Sequence, residues 1–185
     1  MIETRRLRLL PLAPQHILAL IEAPDRFAEL TGFEAAPGLR EFFVSDELSP
    51  EFRESLRALH VADPWTFGHS VVDRDRRMVV GAAGFKGRPD AAGVAEIAYG
   101  IVPDFEGRGY ATEAAGGIIE WAINSGLVQT LRAHTLPLPN ASTRVLVKNG
   151  FSFVGDVVDP EDGPVWRWER SASTPSDGEA SPSRA

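Results

Sequence analysis

Two glycines separated by one residue, Gly107 and Gly109, stand between a β-rich run and an amphipathic stretch in Val-Pro-Asp-Phe-Glu-Gly-Arg-Gly-Tyr-Ala-Thr-Glu-Ala, residues 102–114. Glycine lets a ligand approach the backbone because no Cβ stands in the way. A helix opening just after it presents unpaired N–H groups and a partial positive charge, which together suit a phosphate. Arg108 offers a charge-assisted contact beside them. A Walker loop needs Gly-Lys-Ser/Thr at the helix start, and Gly109-Tyr110-Ala111 lacks it. A dinucleotide fingerprint needs Gly or Ala where Thr112 stands. On the loop alone, a tight strand-to-helix turn with no ligand is the competing reading.

Glu96 is the second candidate. In the alternating run Val94 to Val102 it shares a face with the small residues Ala98 and Gly100, opposite Ile97, Tyr99 and Ile101. A carboxylate in a partly apolar cleft is expected to have its pKa raised towards the range of a general base. A strand-edge ion pair and a substrate-orienting carboxylate are the alternatives. Asn140 is a natural N-cap for the helix that Gly150 ends, and Ser142 follows it with a free hydroxyl. His69 and His134 are isolated in sequence, without supporting ligand spacing, so they read as structural or exposed and no metal site is expected.

These residues must be positioned by a regular frame. Strands are expected at Thr4 to Leu10, Trp65 to Val72, Met78 to Phe85, Val94 to Val102 and Leu127 to Thr135, with a closing hairpin of Phe151 to Val158 and Val165 to Trp168. Asp73 to Arg77 reads as a hairpin connection. Helices are expected at Gln15 to Ile21, from Pro24-Asp25 towards Leu30 with Gly32 ending it, from Ser49-Pro50 to Leu59 or His60 with Ser49 as N-cap, at Gly109 to Asn124 and at Asn140 to Asn149. Residues 33–49 give no clear pattern. Gly116-Gly117 inside a helix costs about 2 kcal/mol against alanine, which suggests close packing there. Trp65, Phe67, Phe42 and Phe43 read as core, with lining of an acceptor pocket as the alternative.

The 185 residues suit one domain, and a net charge of −7 argues against general nucleic-acid binding. No apolar run approaches the roughly 20 residues of a membrane span, and no signal peptide is read at the N-terminus. The absence of cysteine excludes disulfides, cysteine nucleophiles and thiolate metal sites, and is compatible with the cytoplasm. Arginines cluster at Arg5, Arg6 and Arg8 and again at Arg74, Arg76 and Arg77; both groups read as solvated surface.

Gly107 to Ala114 closely resembles the acyl-donor loop of the GNAT acetyltransferases, particularly the branch like the ribosomal-protein N-terminal acetyltransferases. Glu3-Thr4-Arg5-Arg6-Leu7-Arg8-Leu9, Gly81-Ala82-Ala83-Gly84-Phe85, Glu96 to Ile101, and Asn140 and Ser142 before Lys148-Asn149-Gly150-Phe151 are similar to that branch in the same order. Two positions depart from it: Glu106 stands where Gln or Arg is usual, and Asn140-Ala141-Ser142 is one residue shorter than the usual Asn-x-x-Ser.

The resemblance implies an α/β GNAT fold: a single domain over 1–170 with a mixed, mostly antiparallel central sheet, splayed between its fourth and fifth strands and flanked by helices. Residues 171–185 are expected to be a disordered tail. It implies acetyl-CoA as acyl donor, with pantetheine along Gly100, Ile101 and Val102. The adenosine diphosphate end would lie on Gly107, Arg108, Gly109, Tyr110, Ala111 and Thr112, with a further contact from Asn140. Glu96, acting through water, and Ser142, near the thiol, are the implied catalytic residues. The implied acceptor is a small-molecule amine or a peptide N-terminus, with no nucleic acid, membrane or metal, and with homodimers common among such proteins. A non-catalytic acyl-CoA sensor on the same fold is the alternative.

Overall fold

The alternation at the start of the chain folds as the pattern predicts: Leu7 and Leu9 are fully buried while Arg8 between them is half-buried and pairs with Glu3. The computed structural model describes residues 1–43, 50–160 and 162–172. Strand β1 is Ile2–Glu3 and β2 is Leu7–Pro11. Helix α1, Pro14–Glu22, opens on a proline whose missing N–H costs nothing there. Helix α2, Asp25–Thr31, stops at Gly32 in the left-handed region (φ 76°). The unpatterned stretch holds a two-residue strand β3, Glu34–Ala35, and a short helix α3, Leu39–Phe43. Helix α4 is Pro50–Ala58; its expected cap, Ser49, and the side chain of Phe42 lie outside the described residues.

Strand β4 is His69–Asp73, not the longer run from Trp65. Asp63 is the reason. Its carbonyl accepts from the amides of Thr66 and Phe67, and its carboxylate from the amide of Trp65, folding 64–67 into a turn. Strands β5, Met78–Phe85, and β6, Val94–Ile101, follow, then helix α5, Tyr110–Asn124, and strand β7, Thr130–Thr135. Helix α6, Ala141–Lys148, leads to the closing hairpin of β8, Ser152–Asp159, and β9, Gly163–Ser171. The last strand therefore takes in Ser171; of the expected tail, 173–185 lies outside the described residues.

The sheet runs β1-β2-β4-β5-β6-β7-β9-β8, with β3 pairing parallel to the start of β5. All other neighbours are antiparallel except β6 and β7. Among the described residues that parallel pair meets only at Val94–Glu96 against Thr130–Arg132, and β6 from Ile97 onward has no strand partner on that side. This is the splay expected between the fourth and fifth long strands.

Helix α5 lies across β1, β2, β5 and β6 and buries Ala114, Ala115, Ile118, Ile119 and Ala122. Each such Ile contributes roughly 1.5–3 kcal/mol of burial. Gly117 lets the helix seat: a Cβ there would lie 2.9 Å from Leu9 Cδ1 and 3.2 Å from Thr4 Cγ2. Gly81 does the same between strands, where a Cβ would stand 2.2 Å from the Gly100 carbonyl oxygen. Trp65 is core: it packs on Phe85 and Trp121 with centroids 4.6 and 4.8 Å apart. Among the described residues, no helix is long and apolar enough to cross a membrane.

Candidate active site

A short 3-10 turn, Pro103–Phe105, carries the chain from β6 into the glycine loop. Gly107 and Gly109 then take φ values of 70° and 78°, a conformation other residues adopt only with strain. The chain thereby turns into α5 with no side-chain cap. None of the amides from Gly107 to Thr112 donates to a described residue. Six N–H groups at the positive end of α5 are thus left without an acceptor among the described residues, the condition that suits a diphosphate.

Two carboxylates hold the loop in place. Glu113 accepts from Thr4 Oγ1 at 2.7 Å, from the Arg6 amide at 2.6 Å and from Arg6 Nε at 2.8 Å. Arg6 Nη1 goes on to the Arg108 carbonyl at 2.8 Å, and its guanidinium lies 4.8 Å from the Tyr110 ring. Asp73 accepts from the Tyr110 hydroxyl at 2.8 Å. Burial alone would raise the Asp73 and Glu113 carboxyls, but the hydrogen bonds they accept bring both below the usual carboxylate range.

A cleft of about 480 Å³ opens beside the loop, between β6 and α6. Gly100, Ile101, Gly107, Gly109, Tyr110, Ala111, Thr112 and Ser142 all line it. Three expected contacts stand apart. Val102 is fully buried, and Arg108 turns back to stack on Phe105 and donate to the Asp104 carbonyl. Asn140 caps α6, its Oδ1 accepting from the Thr143 amide at 2.9 Å, and it does not line the cleft. Glu106 is exposed on the rim, with no ion-pair partner among the described residues. Arg144 and Lys148 supply cationic groups on the α6 wall. Their i, i+4 spacing shows in the sequence, though only the placement of α6 tells what they face.

Past Tyr99 and Ser142 the cleft meets a second cavity of about 350 Å³ that contains Glu96. Glu96 Oε1 accepts from Lys86 Nζ at 2.9 Å and lies 3.0 Å from His134 Nδ1. The expectation of a raised Glu96 pKa is overturned. Burial pushes the carboxyl up, but the hydrogen bonds from Lys86 and His134 and their charges outweigh it and hold the group below its ordinary value. The Tyr99 hydroxyl donates to the Ser142 carbonyl at 3.2 Å, and burial pushes the phenol up to about 12. A third space of about 240 Å³, between Gly68 and Ala98, reaches Tyr99 and Gly100 from the side of the early helices.

Residues 6–152 match the Acetyltransferase (GNAT) domain family, most of the chain. This chain belongs to the GNAT acetyltransferase family. A Bacillus subtilis (strain 168) protein named Uncharacterized N-acetyltransferase YjdG is 31% identical over 119 residues, 64% of this chain and 62% of that relative's length. Among solved structures, RimL, a ribosomal L7/L12 alpha-N-protein acetyltransferase in complex with coenzyme A, superposes with a TM-score of 0.63 at 16% identity. That match covers 91% of this chain and 95% of the other. The ribosomal-protein-S5-alanine acetyltransferase from Vibrio fischeri gives 0.64 at 14% identity, covering 92% and 95%. These likenesses show the GNAT fold.

Within that GNAT frame, Lys86, Tyr99 and His134 are the site residues that sequence reasoning missed. Glu96 pairs with Arg132 across the parallel contact of β6 with β7, so His134, two residues on, comes to the same face of the neighbouring strand. His69 is buried against Trp121 and lines neither the cleft nor the Glu96 cavity. Among the described residues no group of three or more His, Asp or Glu could hold a metal.

Proposed function

We propose that the chain transfers the acetyl group of acetyl-CoA to a primary amine, of a small molecule or a peptide N-terminus, by direct attack in a ternary complex. The observation that carries this reading is the row of free amides from Gly107 to Thr112 above a cleft that runs on to the Glu96–His134 pair. On this reading the diphosphate lies on those amides, between α5 and the cations Arg144 and Lys148. Pantetheine follows Gly100 and Ile101 in the gap where β6 has lost its neighbour, and the thioester comes beside Tyr99 and Ser142. Domain boundaries of 1–170, and a place in the cytoplasm, belong to the same reading.

The amine reaches the thioester from the side of Gly68 and Ala98, where small residues leave room. It attacks the carbonyl carbon as the neutral base, and the C–S bond breaks as the C–N bond forms. With Nδ1–H of His134 donated to Glu96, Nε2 is left as the acceptor for the amine's proton, and it has no partner among the described residues. Glu96, held ionised, fixes that tautomer and stabilises the imidazolium that results. The departing thiolate takes a hydrogen bond from the Ser142 hydroxyl, and from the Tyr99 phenol once its one O–H turns from the Ser142 carbonyl.

The test is release of CoA from acetyl-CoA with a panel of peptides, polyamines and aminoglycosides. Amine-dependent release establishes the transferase, and dividing the panel names the acceptor class. Binding of acetyl-CoA without release by any amine would favour a sensor, and no binding would end the reading.

A further inference from the structure

The two arginine groups that read as separate solvated patches meet in the fold. Antiparallel pairing sets Leu7 opposite Asp73 and Arg8 opposite Val72, and the Arg74 amide donates to the Arg6 carbonyl at 3.1 Å. Arg5, Arg6, Arg8, Arg74 and Arg77 thereby line one basin of about 370 Å³, together with Phe33 and Asp75. Phe33 gathers two of them, with Arg77 5.2 Å and Arg8 6.0 Å from its ring centroid. Glu3 pairs with Arg8 at 2.6 Å and with Arg74 at 3.5 Å, and Glu113 holds Arg6. Arg5 has no partner among the described residues, and Arg77 donates only to the Gly32 carbonyl at 3.1 Å. Five guanidinium groups against three carboxylates leave the basin positive in a chain whose net charge is −7.

Arg77 adds a second observation. It is the one residue other than glycine with positive φ among the described residues, at 53°. Glycine or asparagine would fit that turn position with less strain. The turn instead keeps a side chain that reaches the basin. Residues held in this region are concentrated at functional sites.

We infer that this basin is a second anion site, apart from the acyl-donor cleft, that takes a small multiply phosphorylated ion. Guanidinium forks match phosphate oxygens in pairs and stay charged at every working pH. The site also reaches the glycine loop. Arg6 lines the basin while holding Glu113 and the Arg108 carbonyl, so an anion that draws on Arg6 alters the loop's anchor. This second consequence rests on the reading of the loop as the acetyl-CoA seat; the binding itself does not.

Inorganic tripolyphosphate titrated calorimetrically into the full chain at low ionic strength tests the site directly. Binding is expected, weakened at least about tenfold in Arg5→Gln/Arg77→Gln, with acetyl-CoA affinity in the absence of tripolyphosphate unchanged. Arg26→Gln/Arg88→Gln, removing two arginines that do not line the basin, should bind as the parent does; equal weakening would mean diffuse attraction and overturn the proposal. No binding would overturn it too. Repeating the titration on protein saturated with CoA or with 3′-dephospho-CoA separates the sources of phosphate. Binding retained with both supports a distinct site. Binding lost with both would place the anion on the glycine loop, and binding lost only with CoA would make the basin the seat of the CoA 3′-phosphate; either result overturns a separate site. A reciprocal change in acetyl-CoA and tripolyphosphate affinity is expected from the Arg6 link, and none would remove that link while leaving the site.

Discussion

Arg6 and Glu113 lie 107 positions apart and share two hydrogen bonds, amide to Oε1 at 2.6 Å and Nε to Oε2 at 2.8 Å. This pair joins the start of the chain to the first turn of α5. Glu113→Ala strips Arg6 and Thr4 of their acceptor and should lower stability by roughly 2–4 kcal/mol. It should also weaken acetyl-CoA binding, because the Arg108 carbonyl loses a fixed partner. Urea unfolding and calorimetry measure the two losses. Since the folded carboxyl titrates below its ordinary value, its contribution is present above about pH 4.5 and disappears as pH falls through the lowered value.

Removal of His134 should strike turnover hardest. His134→Gln is expected to lower kcat by about 10²–10⁴-fold, with acetyl-CoA affinity little changed. Glu96→Gln should cost less, since it disturbs only the partner that orients the ring. If Glu96→Gln were the more damaging, the carboxylate itself would be the base. Lys86→Met removes a donor and a charge from Glu96, so the acid limb of kcat/KM should move to higher pH.

Ser142→Ala and Tyr99→Phe each delete one hydroxyl beside the place assigned to the thiolate. Each should lower kcat by about tenfold while leaving the Kd for acetyl-CoA near the parent value. Single-turnover kinetics beside equilibrium binding distinguishes this from a loss of affinity, which would recast either residue as a binding contact.

His69 makes stability depend on pH independently of the site. Its ring is buried, its Nδ1 has no partner among the described residues, and burial lowers its pKa to about 4. The folded state therefore holds the neutral ring, while the unfolded chain protonates near pH 6.5. The stability in question is complete above pH 6.5 and is lost as pH falls towards 4, by roughly 3 kcal/mol. Urea midpoints across that window should slope downward in the parent and much less in His69→Gln.

Arg77→Gly should relieve a left-handed backbone and raise the thermal midpoint, by roughly 0.5–1 kcal/mol of stability. The same variant should bind tripolyphosphate more weakly. A destabilised Arg77→Gly would mean that its contacts with Phe33 and the Gly32 carbonyl outweigh the strain.

Much of this was legible because the signals are local. Alternation at Leu7 and Leu9, the Asp73–Arg77 turn and the Gly107–Gly109 passage into α5 are each encoded within a few residues. Strands β1 and β3, two residues each, have no period to read. The Trp65 run looked like strand because its aromatics favour pleated surfaces, but Asp63 captured its amides first. The site divided in the same way. The loop was visible, but the partners of Glu96 were not. Lys86 reaches it across a hairpin and His134 across a parallel crossover that skips a whole helix, and only the register brings the three together.

The brief meeting of β6 and β7 leaves two half-sheets that share one core but are hydrogen-bonded to each other at three residue pairs among the described residues. On the proposed reading a donor lying in that gap would act as a temporary strand, and the folded state and the supply of acyl donor would be thermodynamically linked. A hundredfold excess of donor over its Kd would add roughly 2.7 kcal/mol to stability. Starved of donor, the chain would lose that added stability.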